Sequence, residues 1–600
     1  MKISIRCHID AISSKNQERY AMKIIPKKNG YKLPINPEKK QGKISQGFVT
    51  PKQDKNPQVQ KIPPKRVLPI VFIPGIMGSN LRMTEARQKE INGAHNISWR
   101  PDNSSVTVTQ YNDSPIERQL RLDPENTEVD TYDPLKNPTG NLEESSDSRN
   151  QSVTYTRGYR GWNRLDGPLL QPDLPGTKNR RNQDQKARER GWGEIYFGSY
   201  QKVLEVCESK LNSAFSGGAM DLYLQTNILK IDPKKWQADP SIIMLPLDES
   251  SMRDAVKGCW FPVHAMGYNW LKGNFESGVV IAKKINTLID KYKSEGFECE
   301  KVILITHSMG GIVARAVIHP AIGNANDKIL GVVHGVMPAM GAGAAYKRMR
   351  CGVEGEWTAP TERITAGVLG DNAQDVTAVL ANAQGALELL PNQFYGAHWL
   401  EFRDEKKILK SWPAQCPYEE IYKVRAKWFS LFRERWINPA NAIGVGIQKT
   451  LNLLDDAKSF HAKIENTYHD QSYAHYGVDP DRKAWHKVTW KVDDVVDSKN
   501  IDSLKIVEDN RKGSLSLVDL KAPEDVRKVN FLSVEMLGPD APGDQTVPSH
   551  SADAQLLSRK FKGVFRQQGY EHQGSYSNPV VLASTLYCLF KIISTMKWNK

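Results

Sequence analysis

The chain has 600 residues, 39% hydrophobic and 25% charged, a balance that suits a soluble globular protein. Its formal charge of +14 is uneven: residues 1–66 hold 16 Lys and Arg against four acids, so the body is nearly neutral and the positive charge sits in a tail. The seven cysteines are scattered with no CxxC pair, which argues against a disulfide framework or a zinc site, and the run Val580 to Phe590 is too short to span a bilayer.

Taken in order, residues 1–66 contain seven prolines and few bulky apolar residues, the composition of a disordered basic leader. The leader shows no aromatic interleaving of the kind a nucleic-acid groove uses, so no nucleic acid is expected as a partner. Met1 to Tyr20 carries charges throughout and no apolar core, so no signal peptide is expected and synthesis is cytoplasmic. The first part of an α/β core is expected over 67–345. It opens with a buried strand, Val67–Ile73, running into the turn Pro74-Gly75-Ile76-Met77-Gly78-Ser79. Residues 84–190 are polar and read as an insertion, with the acidic cluster Glu143 to Asp147 solvated. Ser199 to Leu211 has one apolar face and predicts a helix. Phe261 to Trp270 predicts a strand leaving into a loop, and Ile281, Ile285, Leu288, Ile289 and Tyr292 predict a helix over 276–293.

The next stretch organises the core. Val302 to Ile305 reads as a strand, Thr306-His307-Ser308-Met309-Gly310 as a tight turn, and Gly311 to Val317 as a helix. This is a nucleophile elbow, with Thr306 where the pentapeptide usually has Gly. Strand, helix, strand, helix makes a βαβ unit and hence a mostly parallel sheet. Lys328 to Val333 predicts the following strand. From 346 to 525 the rhythm stops, and a long inserted cap is expected there. Within it Tyr422, Trp428, Phe429, Phe432 and Trp436 lie among basic residues. They read either as an amphipathic helix for an anionic bilayer or as a cap helix packing on the core. The last part of the core, 526–600, is expected to hold a strand over Val529–Leu537, a short strand near Val564, and a helix over 578–597.

A serine hydroxyl needs a base to take its proton, and the base needs a carboxylate to fix its tautomer. Ser308, Asp544 and His572 appear in the order nucleophile, acid, base, each after an expected strand. Asp544 lies in Gly543-Asp-Gln-Thr-Val-Pro548, with Asp540 as the competing acid. His264 and His334 precede the acid, His550 is too close to it, and His307 adjoins the nucleophile and is expected to point elsewhere. The backbone N–H groups of Met309 and Ile76 are the expected oxyanion donors. This chemistry calls for no cofactor and no metal.

Pro74 to Ser79, Tyr268-Asn-Trp270, His307-Ser-Met-Gly-Gly311, Gly543 to Pro548 and His572 together resemble the lecithin:cholesterol acyltransferase-like lipases. They resemble still more the bacterial type VI secretion lipase effectors. The sequence departs from the pattern at Thr306, at Asn269 where the acyltransferases have Asp, and at Gln545 where Gly is usual. The resemblance implies an α/β-hydrolase core with large inserted caps, and a lipase acting on membrane phospholipid. It further implies delivery into the periplasm of a target cell, a secretion-apparatus partner, an immunity protein in the producer, and peripheral contact with the membrane. Two other readings stand beside it: an acyltransferase or thioesterase using the same triad, and a non-catalytic binding protein on this fold.

Overall fold

A computed structural model describes residues 64–135, 140–141, 144–155, 168–173, 178–216, 218–354, 366–493, 498–520 and 531–598. It also gives the backbone of Ile44–Gly47 and Gln58–Lys61, which pair antiparallel. The rest of the expected disordered leader lies outside the described residues.

Six parallel strands form the centre: β1 (Ile70–Ile73), β2 (Val263–Ala265), β3 (Val302–His307), β4 (Ile329–Gly335), β5 (Ser472–Gly477) and β6 (Phe561–Gln567), in the spatial order β2-β1-β3-β4-β5-β6. Every residue of β1, β3 and β4 is buried. The alternation of side chains splits them between two layers: Val71, Ile73, Val302 and Leu304 join one apolar cluster, and Ile70, Phe72, Ile303 and Ile305 the other. Helices α2 (Asn274–Ser294) and α3 (Met309–Ile318) cover the first face, whereas α1 (Phe197–Asn212) and α5 (Pro579–Ile593) cover the second. A sheet buried on both faces needs near-continuous apolar runs, which is why these strands show so plainly in the sequence. This is an α/β-hydrolase core with large insertions.

The structure differs from expectation at four places. The strand expected over Val67–Ile73 is interrupted: Arg66–Val67 pairs with Cys259–Trp260, and pairing resumes at Ile70 after Pro69, which has no N–H to give. Ser472–Gly477, inside the stretch 346–525 expected to be cap throughout, is a strand of the central sheet. Its sequence, Ser-Tyr-Ala-His-Tyr-Gly, lacks the aliphatic run that marks its neighbours. Conversely Leu532–Met536, expected in the core, belongs to a second sheet. That sheet joins Ile408–Trp412, Leu400–Arg403, Val488–Val492, Leu532–Met536, Ser514–Val518 and Lys505–Asp509 in this order, antiparallel but for one pair. Finally, the basic–aromatic segment forms no continuous helix. Tyr418–Tyr422 and Glu434–Trp436 are short turns of helix, and Trp428, Phe429, Phe432 and Trp436 are buried. Packing thus occupies the face that a bilayer would need.

The polar insertion has its own small sheet, Leu81–Met83 between Ile97–Trp99 and Thr127–Val129. Within its acidic cluster Glu144 accepts from Arg149 at 2.7 Å, and the half-exposed Asp147 accepts from Arg188 at 2.9 Å. Among the described residues, no helix is long and apolar enough to cross a membrane.

Candidate active site

The strand β3 ends at His307, and Ser308 follows with φ 52° and ψ −124° before α3 begins at Met309. A side-chain-bearing residue in that region is strained, and the fold must hold it there. Two contacts do so. The Ser308 N–H donates to the Gly335 carbonyl at the end of β4 (2.8 Å), and the Ser308 carbonyl accepts from Gly311 (2.9 Å). Gly310 is required by close approach: a Cβ there would stand 2.4 Å from the Ile73 carbonyl oxygen and 2.5 Å from that of Pro74. Thr306, by contrast, is an ordinary strand residue in register with Ile73 and His334. A β-branched side chain suits that strand position, although its Oγ1 is buried without a hydrogen-bond partner among the described residues.

Parallel strands bring their C-terminal loops to one end of the sheet, and that end gathers the expected residues. Beyond β5 the chain makes the excursion 478–543 and returns when Gly543 pairs with Asp479. Asp544 then sits in a turn of its own making, its Oδ1 accepting from the N–H groups of Val547 (2.7 Å) and Thr546 (3.2 Å). Gln545 has φ 71°, a left-handed conformation that explains why Gly is usual there. Past β6, the His572 N–H donates to the Asp544 carbonyl at 2.9 Å. The His572 Nδ1 lies 2.8 Å from Asp544 Oδ2, and its Nε2 lies 2.8 Å from Ser308 Oγ. A carboxylate only accepts, so Nδ1 carries the ring proton and Nε2 is free to take the serine's. Ser308, Asp544 and His572 are 4%, 1% and 8% exposed, so the three groups meet largely out of water.

Gly75 brings the first turn against the nucleophile: a Cβ added to it would meet Ser308 Cβ at 2.9 Å. Among the described residues, neither the Ile76 nor the Met309 N–H is used in a hydrogen bond. The competing acid Asp540 is engaged elsewhere, accepting from the N–H groups of His486 and Lys487. His264 bonds Tyr292, and His550 bonds the Tyr395 carbonyl. His334 packs against the rings of Tyr468 and Phe561.

Four contributors take roles that the motifs do not assign. Tyr200 on α1 reaches His307 Nδ1 at 3.1 Å, and His307 Nε2 lies 3.0 Å from the His572 carbonyl oxygen. The Tyr576 hydroxyl donates to the Thr306 carbonyl at 2.8 Å. Asp479, directly after β5, braces the base loop by accepting from the Gly569 N–H at 2.9 Å. For His307 and Asp479 the only available signal is adjacency to a strand end.

A family model described as the PGAP1-like alpha/beta domain matches residues 276–339, the stretch from α2 through β3, α3 and β4. The chain is also similar to a chain of the crystal structure of the Tle4–Tli4 complex, at 28% identity and a TM-score of 0.67. That match covers 89% of this chain and 99% of the other. No curated protein matches the sequence.

Proposed function

We propose that this chain, similar in sequence and fold to a chain of the Tle4–Tli4 complex, is a type VI secretion lipase effector that cleaves acyl esters of membrane glycerophospholipids with Ser308 as nucleophile. The coarser statement, a hydrolase of the lipase and esterase kind, is supported by these likenesses themselves. The finer one is supported by a single observation, the hydrogen-bonded run from Ser308 Oγ through His572 to Asp544. In the reaction His572 Nε2 takes the serine proton as Oγ attacks the ester carbonyl, and Asp544 stabilises the imidazolium that forms. The N–H groups of Met309 and Ile76 hold the oxyanion, each worth about 3 kcal/mol in the transition state. His572 then protonates the departing lysolipid alcohol, and water releases the fatty acid by the same steps in reverse roles.

Phospholipid is favoured over a small soluble ester by the long inserted segments, since an acyl chain needs a covered apolar groove. By extension from Tle4, which is solved together with Tli4, an immunity protein would bind this chain in the producing cell. Delivery to a target-cell periplasm with the help of a secretion-apparatus component completes the reading.

The test is acyl release from phosphatidylethanolamine–phosphatidylglycerol vesicles by wild type and Ser308→Ala. Fatty acid and lysolipid from wild type alone is the expected result. Silence of the folded wild type on vesicles would remove the phospholipid assignment, and equal release by both proteins would remove Ser308 as nucleophile.

A further inference from the structure

We infer that His307 and Tyr200 form a positioning bridge, which locks the turn carrying the oxyanion donor and the loop carrying the base into register across Ser308. This rests on the serine-hydrolase reading above. The bridge is a run of three hydrogen bonds between buried groups. The Gly75 N–H donates to the Tyr200 oxygen (3.4 Å), the Tyr200 hydroxyl meets His307 Nδ1 (3.1 Å), and His307 Nε2 meets the His572 carbonyl (3.0 Å).

The proton positions along it are fixed by chemistry. A carbonyl only accepts, so His307 must carry its proton on Nε2, and Nδ1 is then an acceptor. The Tyr200 hydroxyl therefore donates to Nδ1 and accepts from Gly75. A neutral His307 protonated on Nε2 satisfies all three contacts. Its surroundings enforce that form: burial, then the neighbouring His572, holds the ring well below the usual histidine range. A cation here would also stand beside His572, with ring centroids 5.1 Å apart, when that ring gains its own charge during catalysis.

Space reinforces the bridge. A Cβ on Gly75 would come within 2.9 Å of both His307 Nδ1 and Ser308 Cβ, so the turn presses on the two residues at once. Tyr200 is anchored by its ring against Phe72 of β1, with centroids 4.8 Å apart. The His572 backbone is consequently held at both polar groups, its N–H by Asp544 and its C=O by His307. Ile76, the residue after Gly75, inherits its place from the same run. Neither His307 nor Tyr200 touches the reacting atoms, so both act through their neighbours. A displacement of about 1 Å at such a site costs on the order of 100-fold in rate.

The experiment uses Tyr200→Phe, His307→Phe and His307→Gln in the full chain, with two readouts. One is steady-state hydrolysis of vesicle phospholipid; the other is the second-order rate at which a fluorophosphonate labels Ser308. Tyr200→Phe should lower kcat about 10-fold with KM unchanged, and slow labelling by a similar factor. His307→Phe should cost about 100-fold, and His307→Gln, which keeps a donor for the His572 carbonyl, should recover part of that loss. If the folded variants melt at lower temperature yet keep wild-type kcat and labelling rate, the pair is merely structural and the bridge is wrong. If wild type itself is neither labelled nor active, with Ser308→Ala as reference, the serine-hydrolase reading fails and takes the bridge with it. Labelled wild type with equally labelled variants overturns the bridge alone.

Discussion

The central sheet and the second sheet each hold six strands, yet they solve burial differently. In the central sheet β3 and β4 are buried along their whole length because helices cover both faces. In the second sheet Val488–Val492 and Leu532–Met536 alternate buried with less buried residues, as a sheet does when one face meets the body and the other meets water. All the groups assigned to chemistry lie on loops at one end of the first sheet. The second sheet adds none of them, and its buried face, with Phe402, Trp490 and Val534, merges with the cluster that lines α2 and α3. A parallel sheet aligns its loop ends and so concentrates side chains of different strands, whereas an antiparallel meander sends successive loops to opposite ends. The difference teaches why the cap could grow by insertion without disturbing the site.

The strongest way to break this division is Asp544→Asn. The substitution leaves the turn's geometry open to the amide but favours the wrong tautomer of His572. The expected loss is about 10⁴-fold in kcat with the melting temperature nearly unchanged. A loss under tenfold in vesicle hydrolysis would mean that another carboxylate orients the base. Next comes Trp428→Ala in the cap. Trp428 is 1% exposed, donates to the Ile501 carbonyl at 2.9 Å and packs on the rings of Phe402, Trp412 and Trp490. Its removal should cost about 3–5 kcal/mol in urea unfolding. Because the cap shares an apolar cluster with the sheet, one transition should shift as a whole. Two separated transitions would instead make the cap an independent unit.

The same contrast sets what the sequence reveals. The strand, turn and helix around Ser308 were legible because a doubly covered strand must be apolar throughout and the turn after it must be small. Asp544 and His572 were legible through chain order and their glycine-flanked loops. β5 was not, because Ser472, His475 and Gly477 give no aliphatic run, although every residue of that strand is buried. Its burial depends on partners on both sides, β4 and β6, which are far away in sequence. Leu532–Met536 failed in the opposite sense: Phe531, Leu532 and Val534 have strand chemistry, but nothing local says which sheet the strand joins. The bridge through Tyr200 was invisible for a related reason, since α1 meets β3 only in three dimensions.

The smallest expected effect probes the seam between the two regions. Glu388 is fully buried between α2 and α4 (Ile447–Ile464). Its Oε2 accepts from the N–H and the side-chain amide of Asn274 at the start of α2 (2.8 and 2.7 Å), while its carbonyl oxygen lies 2.8 Å from His461 Nε2 on α4. Burial pushes the carboxyl up to about 7, from an ordinary value of 4.5. The folded state therefore binds a proton that the unfolded state has lost between those values. The corresponding stability is fully present below about pH 4.5 and lost as pH rises through about 7. His461 runs the other way: burial lowers it to about 4, so its contribution is present above its ordinary 6.5 and lost as pH falls. Comparing wild type with Glu388→Gln cancels the histidine. Glutamine keeps an acceptor for Asn274 without the charge, so the variant should match wild type at pH 4 and exceed it by up to about 3 kcal/mol at pH 8. Melting curves at the two pH values measure the gap. A gap that does not change with pH would mean that Glu388 stays ionised in the fold, with the start of α2 stabilising its charge against burial.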